Sequence, residues 1–90
     1  MRILVVEDDK NLREQLSGAL TDAGYTVDTA DNGEDGQFLG ETEPYDLAIL
    51  DLGLPKIDGL SVLKAWRKDG RSMPVLILSA KTDATVKVRA

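Results

Sequence analysis

Carboxylates are the side chains of this sequence that could carry chemistry. The acidic run Glu7-Asp8-Asp9 directly follows one apolar segment, and Asp51 directly follows another. The chain of 90 residues contains no cysteine and no histidine, which excludes disulfides, thiolate metal sites, thiol nucleophiles and histidine-based triads. Any reaction here would therefore depend on carboxylate oxygens.

Bringing Glu7, Asp8 and Asp51 into one pocket would be unfavourable unless something offsets their charge. Two carboxylates about 4 Å apart repel by roughly 4 kcal/mol at an effective dielectric near 20. One remedy is a raised pKa, so that the carboxyl groups share a proton. The other is a divalent cation, and an all-oxygen ligand set favours a hard ion such as Mg²⁺. A cation beside Asp51 would also suit that carboxylate to attack phosphorus and form an acyl phosphate.

Acidic residues after a strand often do no more than cap the next helix. We expect this role for Asp9. Capping alone is disfavoured as the explanation of residues 7–9 and Asp51 together, because each of these acidic features stands at the carboxyl end of a buried strand.

Apolar runs mark the strands that would position these acids. Residues 3–6, 47–50 and 75–78 are unbroken apolar runs, as is typical of strands buried on both faces of a parallel sheet. Residues 25–30 alternate between apolar and polar, which predicts a strand with one wetter face at a sheet edge.

Helical patterns lie between the strands. One stripe consists of Leu12, Leu16, Ala19, Leu20 and Ala23 and is followed by Gly24; residues 32–39 form a shorter helix; Leu60, Leu63 and Arg67 form a third before Gly70. Trp66 is expected to pack against the sheet. Asp83 could cap a fourth helix, with Ala84 and Val88 on one face.

This alternating order predicts a parallel sheet wrapped by helices. Ligands of such sheets bind at the carboxyl ends of the strands, and neighbouring strands lie about 4.8 Å apart. If the strands before Glu7 and Asp51 are neighbours, the three acids share one pocket. Ser79 would lie at the same edge of the sheet, where the carboxyl ends of the strands meet; we call this edge the rim.

The overall charge argues against some partners. Lys and Arg number 11 and Asp and Glu number 16, for a net charge of −5, which disfavours direct contact with nucleic acid. No apolar run approaches the roughly 20 residues that span a bilayer. The apolar N-terminal stretch is too short for a signal peptide, so we expect a cytoplasmic protein without membrane contact.

Three segments carry a family resemblance: residues 5–9 (V-V-E-D-D), residues 50–55 (L-D-L-G-L-P) with Asp58-Gly59, and residues 74–80 (P-V-L-I-L-S-A). In order and spacing they resemble a response-regulator receiver domain of a two-component system, along essentially the whole chain. The second segment, with Trp66-Arg67, resembles the OmpR/PhoB subfamily of transcriptional regulators, whose receivers precede a winged-helix DNA-binding domain.

The resemblance implies a flavodoxin-like (CheY-like) α/β fold with a doubly wound parallel sheet. It implies that Asp51 is the phosphoacceptor and that Ser79 supplies the switch hydroxyl. Asp8 would bind Mg²⁺ directly, Glu7 through water, and Gly53 through its backbone carbonyl. The phosphoryl donor would be a sensor histidine kinase.

The sequence also departs from a full receiver. We expect residues 1–90 to be a receiver truncated at its C-terminus, with β-α repeats 1–4 only, sheet order 2-1-3-4 and no DNA-binding domain. The fifth strand would be missing, together with the lysine that ends it. Residues 75–78 would then form a bare apolar edge that favours self-association as a homodimer or larger assembly.

Three functions follow from these observations. The first is a phosphoacceptor module that is not an enzyme and controls transcription through an output domain. The second is a carboxylate-nucleophile phosphohydrolase, which is disfavoured because position 53 is Gly, where that class needs an acid-base Asp. The third is a signalling-incompetent fragment that keeps the acidic site and self-associates through its exposed edge.

Overall fold

A five-stranded sheet with three helices forms the described part of the chain. The computed structural model describes residues 1–79 and 85–89, with only the backbone at Ser79 and Thr85–Arg89. The elements in chain order are β1 (Arg2–Val6), α1 (Lys10–Asp22), β2 (Thr26–Ala30), α2 (Gly33–Thr42), β3 (Leu47–Asp51), α3 (Gly59–Lys68), β4 (Val75–Ser79) and β5 (Thr85–Arg89).

The sheet order is β2-β1-β3-β4-β5. The first four strands are parallel, which confirms the predicted order 2-1-3-4 and the edge position of β2. Each helix begins at an Asp or Asn cap, because Asp9, Asn32 and Asp58 each accept a backbone N–H of the first turn.

The two faces of the sheet are covered unequally. Helices α2 and α3 cover one face, where Trp66 is fully buried as predicted. On the other face, Leu16 and Leu20 of α1 pack against Ile3, Val5 and Ile49. No residue of α1 is itself fully buried, and this helix lies mainly over β1 and β2.

The predicted fourth helix is wrong where the structure describes it. Residues 85–89 form β5, antiparallel to β4; Asp83 and Ala84 lie outside the described residues. The segment T-V-K-V-R alternates and is rich in β-branched residues, which favour a strand, and five residues are too few to nucleate a stable helix. The apolar edge of β4 offers open backbone groups for such a strand to pair with.

Two further expectations are corrected by β5. The edge of β4 is not bare, and a fifth strand is present. Because β5 is antiparallel, Thr85 pairs with Ser79 at the rim and Arg89 pairs with Val75 at the far end. Lys87 therefore lies at mid-strand, opposite Ile77, and β5 does not end in a lysine at the rim.

Among the described residues, no helix is both long and apolar enough to cross a bilayer.

Candidate functional site

Glu7, Asp8 and Asp51 form a cluster, here called the acidic cluster, at the carboxyl ends of β1 and β3. The two strands are neighbours, with Val6 paired with Leu50. One carboxylate oxygen from each of the three residues lies within 4.8 Å of the others. The structure therefore brings together the three acids that the strand pattern predicts to converge.

The three carboxylates differ in their access to solvent. Glu7 is 2% exposed and Asp51 is 6% exposed, whereas Asp8 is exposed. The pKa of Glu7 is raised from 4.5 to about 7, chiefly because burial disfavours its charged form. The neighbouring Asp8 and Asp51 carboxyls raise this pKa as well, and the N–H of Asp9 partly opposes them.

One oxygen of Glu7 lacks a partner. Oε2 accepts the N–H of Asp9 at 3.0 Å, but Oε1 is buried without a hydrogen bond from the described residues. An unpaired buried carboxylate oxygen is costly, and a cation or its bound water would satisfy it. The donor set, three carboxylates with one exposed, fits a hard divalent ion that keeps several waters.

The turn that carries two of these acids, residues 7–9, is held from several sides. The N–H of Glu7 donates to the carbonyl of Ala30 at 3.0 Å, which joins the turn to the end of β2. A side-chain oxygen of Asp9 accepts the N–H of Leu12 at 3.1 Å, so Asp9 is the helix cap that the sequence predicts. We call residues 7–9 the acidic turn.

The loop after Asp51 folds back over the same rim. The N–H of Gly53 donates to Oδ1 of Asp51 at 3.3 Å, which orients the carboxylate. Lys56 adopts the left-handed region with φ of 70°, which is unusual for a residue other than glycine. The N–H of Gly33, at the start of α2, donates to the carbonyl of Pro55 at 3.1 Å.

Ser79 ends β4 next to this site. The register pairs Asp51 with Leu78, so the backbone of Ser79 lies one residue further along the same rim. Its side chain lies outside the part that the structure describes.

Sequence reasoning missed Arg13 and the contact between Gly33 and Pro55. Nη1 of Arg13 donates to the backbone carbonyl of Glu7 at 3.0 Å. The available signal was spacing, because Arg13 lies four residues after the helix cap Asp9, one turn into α1. No comparable pattern in the local sequence predicts the contact of Gly33 with Pro55, which lies more than twenty positions further along the chain.

Comparison with known families agrees with this geometry. The family model described as response regulator receiver domain matches residues 3–90. The chain is 50% identical over 80 residues to the probable transcriptional regulatory protein SilR of Salmonella typhimurium, covering 89% of this chain and 35% of that protein. It is 48% identical over 88 residues to the transcriptional regulatory protein DltR of Streptococcus agalactiae, covering 98% of this chain and 39% of that protein. The chain thus spans less than half the length of these relatives.

Solved structures show the same fold. The response regulator protein TrrA of Thermotoga maritima, in complex with Mg²⁺-BeF, superposes with a TM-score of 0.83 at 42% identity, covering 90% of this chain and 70% of that chain. TrrA has also been solved in complex with the histidine kinase ThkA, with a TM-score of 0.81.

Proposed function

Because the chain belongs to the response regulator receiver domain family, we propose that it accepts a phosphoryl group on Asp51 from a sensor histidine kinase. The observation that carries this proposal is the acidic cluster with the unpaired oxygen of Glu7. It is supported by the OmpR/PhoB-type relatives, which are transcriptional regulators, and by the kinase complex of TrrA.

The residues that would hold Mg²⁺ are Asp8 and Asp51 directly, Glu7 through a water molecule, and Gly53 through its backbone carbonyl. When bound, the ion would neutralise charge that otherwise repels an incoming phosphate. Since Glu7 is partly protonated near neutral pH, a proton would occupy the site in the absence of metal, and cation binding would release it.

The chemical step needs a nucleophile with a defined orientation. An oxygen of Asp51 attacks phosphorus, the bond from phosphorus to the donor's imidazole nitrogen breaks, and the electron pair stays on that nitrogen. The N–H of Gly53 holds one oxygen of the same carboxylate, which leaves the other to attack. The hydroxyl of Ser79 would then donate to a phosphoryl oxygen as the switch residue.

The output of the whole protein is a separate part of the proposal. We propose that phosphorylation controls transcription through a winged-helix output domain, in the cytoplasm; the relatives SilR and DltR, which are named as transcriptional regulatory proteins, support the role in transcription. The alternative, a self-associating and signalling-incompetent fragment, was inferred from an unpaired β4 edge. Because β5 pairs with that edge, the observation that favoured this alternative is absent from the described part of the chain.

The test is phosphorylation by a small donor. The chain is incubated with acetyl phosphate and Mg²⁺ and its intact mass is measured. We expect one added phosphoryl group, lost in Asp51→Asn and kept in Asp22→Asn, which changes an exposed acid at the far end of α1. Continuous release of phosphate without an adduct would indicate a hydrolase, and no reaction would contradict the proposal.

A further inference from the structure

Arg13 bridges the first turn of α1 and the backbone of the acidic turn. Its Nη1 donates to the carbonyl of Glu7 at 3.0 Å and lies 3.5 Å from the carbonyl of Asp8. Both carbonyls belong to residues of the acidic cluster, and Arg13 itself contributes no ligand atom to it.

This contact acts on the part of the chain that aims two carboxylates. The acidic turn follows β1 directly, and its residues carry a helix cap and two members of the acidic cluster within three positions. A guanidinium donating to the backbone fixes the peptide planes, and the directions of the attached side chains follow from them.

From these contacts we propose that Arg13 is a positioning residue, which holds the acidic turn so that Glu7 and Asp8 face Asp51. The inference rests on the proposed function for its metal-binding consequence. It predicts that loss of the guanidinium weakens Mg²⁺ binding although no ligand is removed, as for other groups that orient metal ligands.

The surroundings of Arg13 permit a clean substitution. Helix α1 has no fully buried residue, and Arg13 lines an open cavity of about 460 Å³ with Glu14, Ser17, Gly18 and Thr29. Arg13→Met keeps the aliphatic stem and removes the donors. Lys10→Met is the matched control, because it removes one positive charge from an exposed position next to the same turn.

If Arg13 acted only through its charge, its loss would change Mg²⁺ affinity in the opposite direction from the loss of a positioning residue. Removing a cation near carboxylates would, by charge alone, strengthen the binding of a second cation. We expect Arg13→Met to weaken Mg²⁺ binding by about 10-fold in calorimetric titration, Lys10→Met not to weaken it, and Arg13→Lys to restore part of the loss. Binding by Arg13→Met as tight as that of the parent chain, or tighter, would overturn the inference.

A second measurement needs no metal. The Asp9 amide donates to Oε2 of Glu7, so its hydrogen exchange reports the geometry of the turn. In Arg13→Met we expect exchange at Asp9 to be about 10-fold faster, with the amide of Leu4 in β1 unchanged. Unchanged protection at Asp9 would overturn the inference. If the parent chain binds no Mg²⁺, the proposed function fails, and the amide measurement still decides whether Arg13 orders the turn.

Discussion

Gly40 of α2 lies so close to the indole ring of Trp66 in α3 that a Cβ atom at position 40 would overlap the ring. The indole N–H donates to the carbonyl of Gln37 at 3.2 Å, which locks the ring in place between the helices. The two helices that cover one face of the sheet, α2 and α3, therefore meet at a position where a side chain does not fit.

Gly40→Ala tests this close approach. We expect it to lower the free energy of unfolding by about 2 kcal/mol, because overpacking forces side chains and backbone to shift. Urea denaturation followed by the fluorescence of Trp66 measures the change. Gly18→Ala is the control: it lies within α1 with no atom within 4 Å of the added Cβ, and it should stabilise by roughly 0.5–1 kcal/mol.

Asp8→Ala tests the exposed member of the acidic cluster. We expect Mg²⁺ affinity to fall at least about 100-fold, because one charge about 4 Å from a cation is worth roughly 4 kcal/mol or more at an effective dielectric near 20. Calorimetry measures the affinity. Ser79→Ala should leave metal binding nearly intact, since its hydroxyl is proposed to contact only the phosphoryl group. Unchanged Mg²⁺ affinity in Asp8→Ala would contradict the proposal that Asp8 binds the ion directly.

The pH dependence of stability should reveal Glu7. Its folded pKa is raised from 4.5 to about 7, so without metal its contribution to stability is fully present below about pH 4.5 and is lost as pH rises through about 7. Glu7→Gln removes this titration. We therefore expect the stability of Glu7→Gln relative to the parent chain to increase between about pH 5 and about pH 8 in chelator. A difference that stays constant over this range would contradict the assignment.

Mg²⁺ affinity should also depend on the protonation of Glu7, but it should increase with pH, whereas the contribution of Glu7 to stability decreases. Below about pH 7 a proton on Glu7 competes with the cation. We expect the affinity of the parent chain to increase from about pH 6 to about pH 8, and the affinity of Glu7→Gln to vary much less. Calorimetric titrations in buffers of different ionisation enthalpy would also count the released proton.

A polar network at the opposite end of the sheet predicts a contrasting effect. The Tyr45 hydroxyl donates to Asp28 at 2.7 Å, and this bond is the main reason why the pKa of Asp28 is lowered. Arg2 also donates to Asp28, at 2.9 Å. Burial and the bond to Asp28 raise the pKa of Tyr45.

Tyr45→Phe should cost about 1–2 kcal/mol of stability near neutral pH, because Asp28 loses a hydrogen bond to its charged form. A lowered folded pKa contributes stability above the unfolded pKa that is lost as pH falls through the folded value. The deficit of Tyr45→Phe should therefore shrink in acid. Urea denaturation at several pH values measures it, and Tyr25→Phe, at a more exposed tyrosine, serves as control.

The sequence was sufficient to predict most of what positions the site. Unbroken apolar runs at residues 3–6 and 47–50 indicated strands buried on both faces, and parallel strands place the following acids on one rim. The convergence of Glu7 with Asp51 thus depends only on which strands are neighbours. Asp9 as a cap and Trp66 as a packed side chain followed from similarly local patterns.

The features that could not be predicted depend on contacts made elsewhere. Ala84 and Val88 have helical spacing, but the chain that includes Val88 pairs with an open strand edge, so a tertiary contact overrode the local pattern. The conformation of Lys56 and the role of Arg13 arise from backbone atoms whose positions are set only once the rim has formed. Residue type and spacing do not predict the conformation of Lys56, and the spacing of Arg13 from Asp9 indicates only that its side chain lies near the turn, not which carbonyls it contacts.

The tie between Gly33 and the segment at residues 52–58 limits how this domain can be recombined. Gly33 donates to Pro55, and any Cβ at position 33 would collide with the carbonyl of Ile57. A chimera that imports this segment from a homologue must therefore import, or already possess, a glycine at position 33. Gly33 and residues 52–58 form one transplantable unit, although the rest of α2 and the whole of β3 lie between them along the chain.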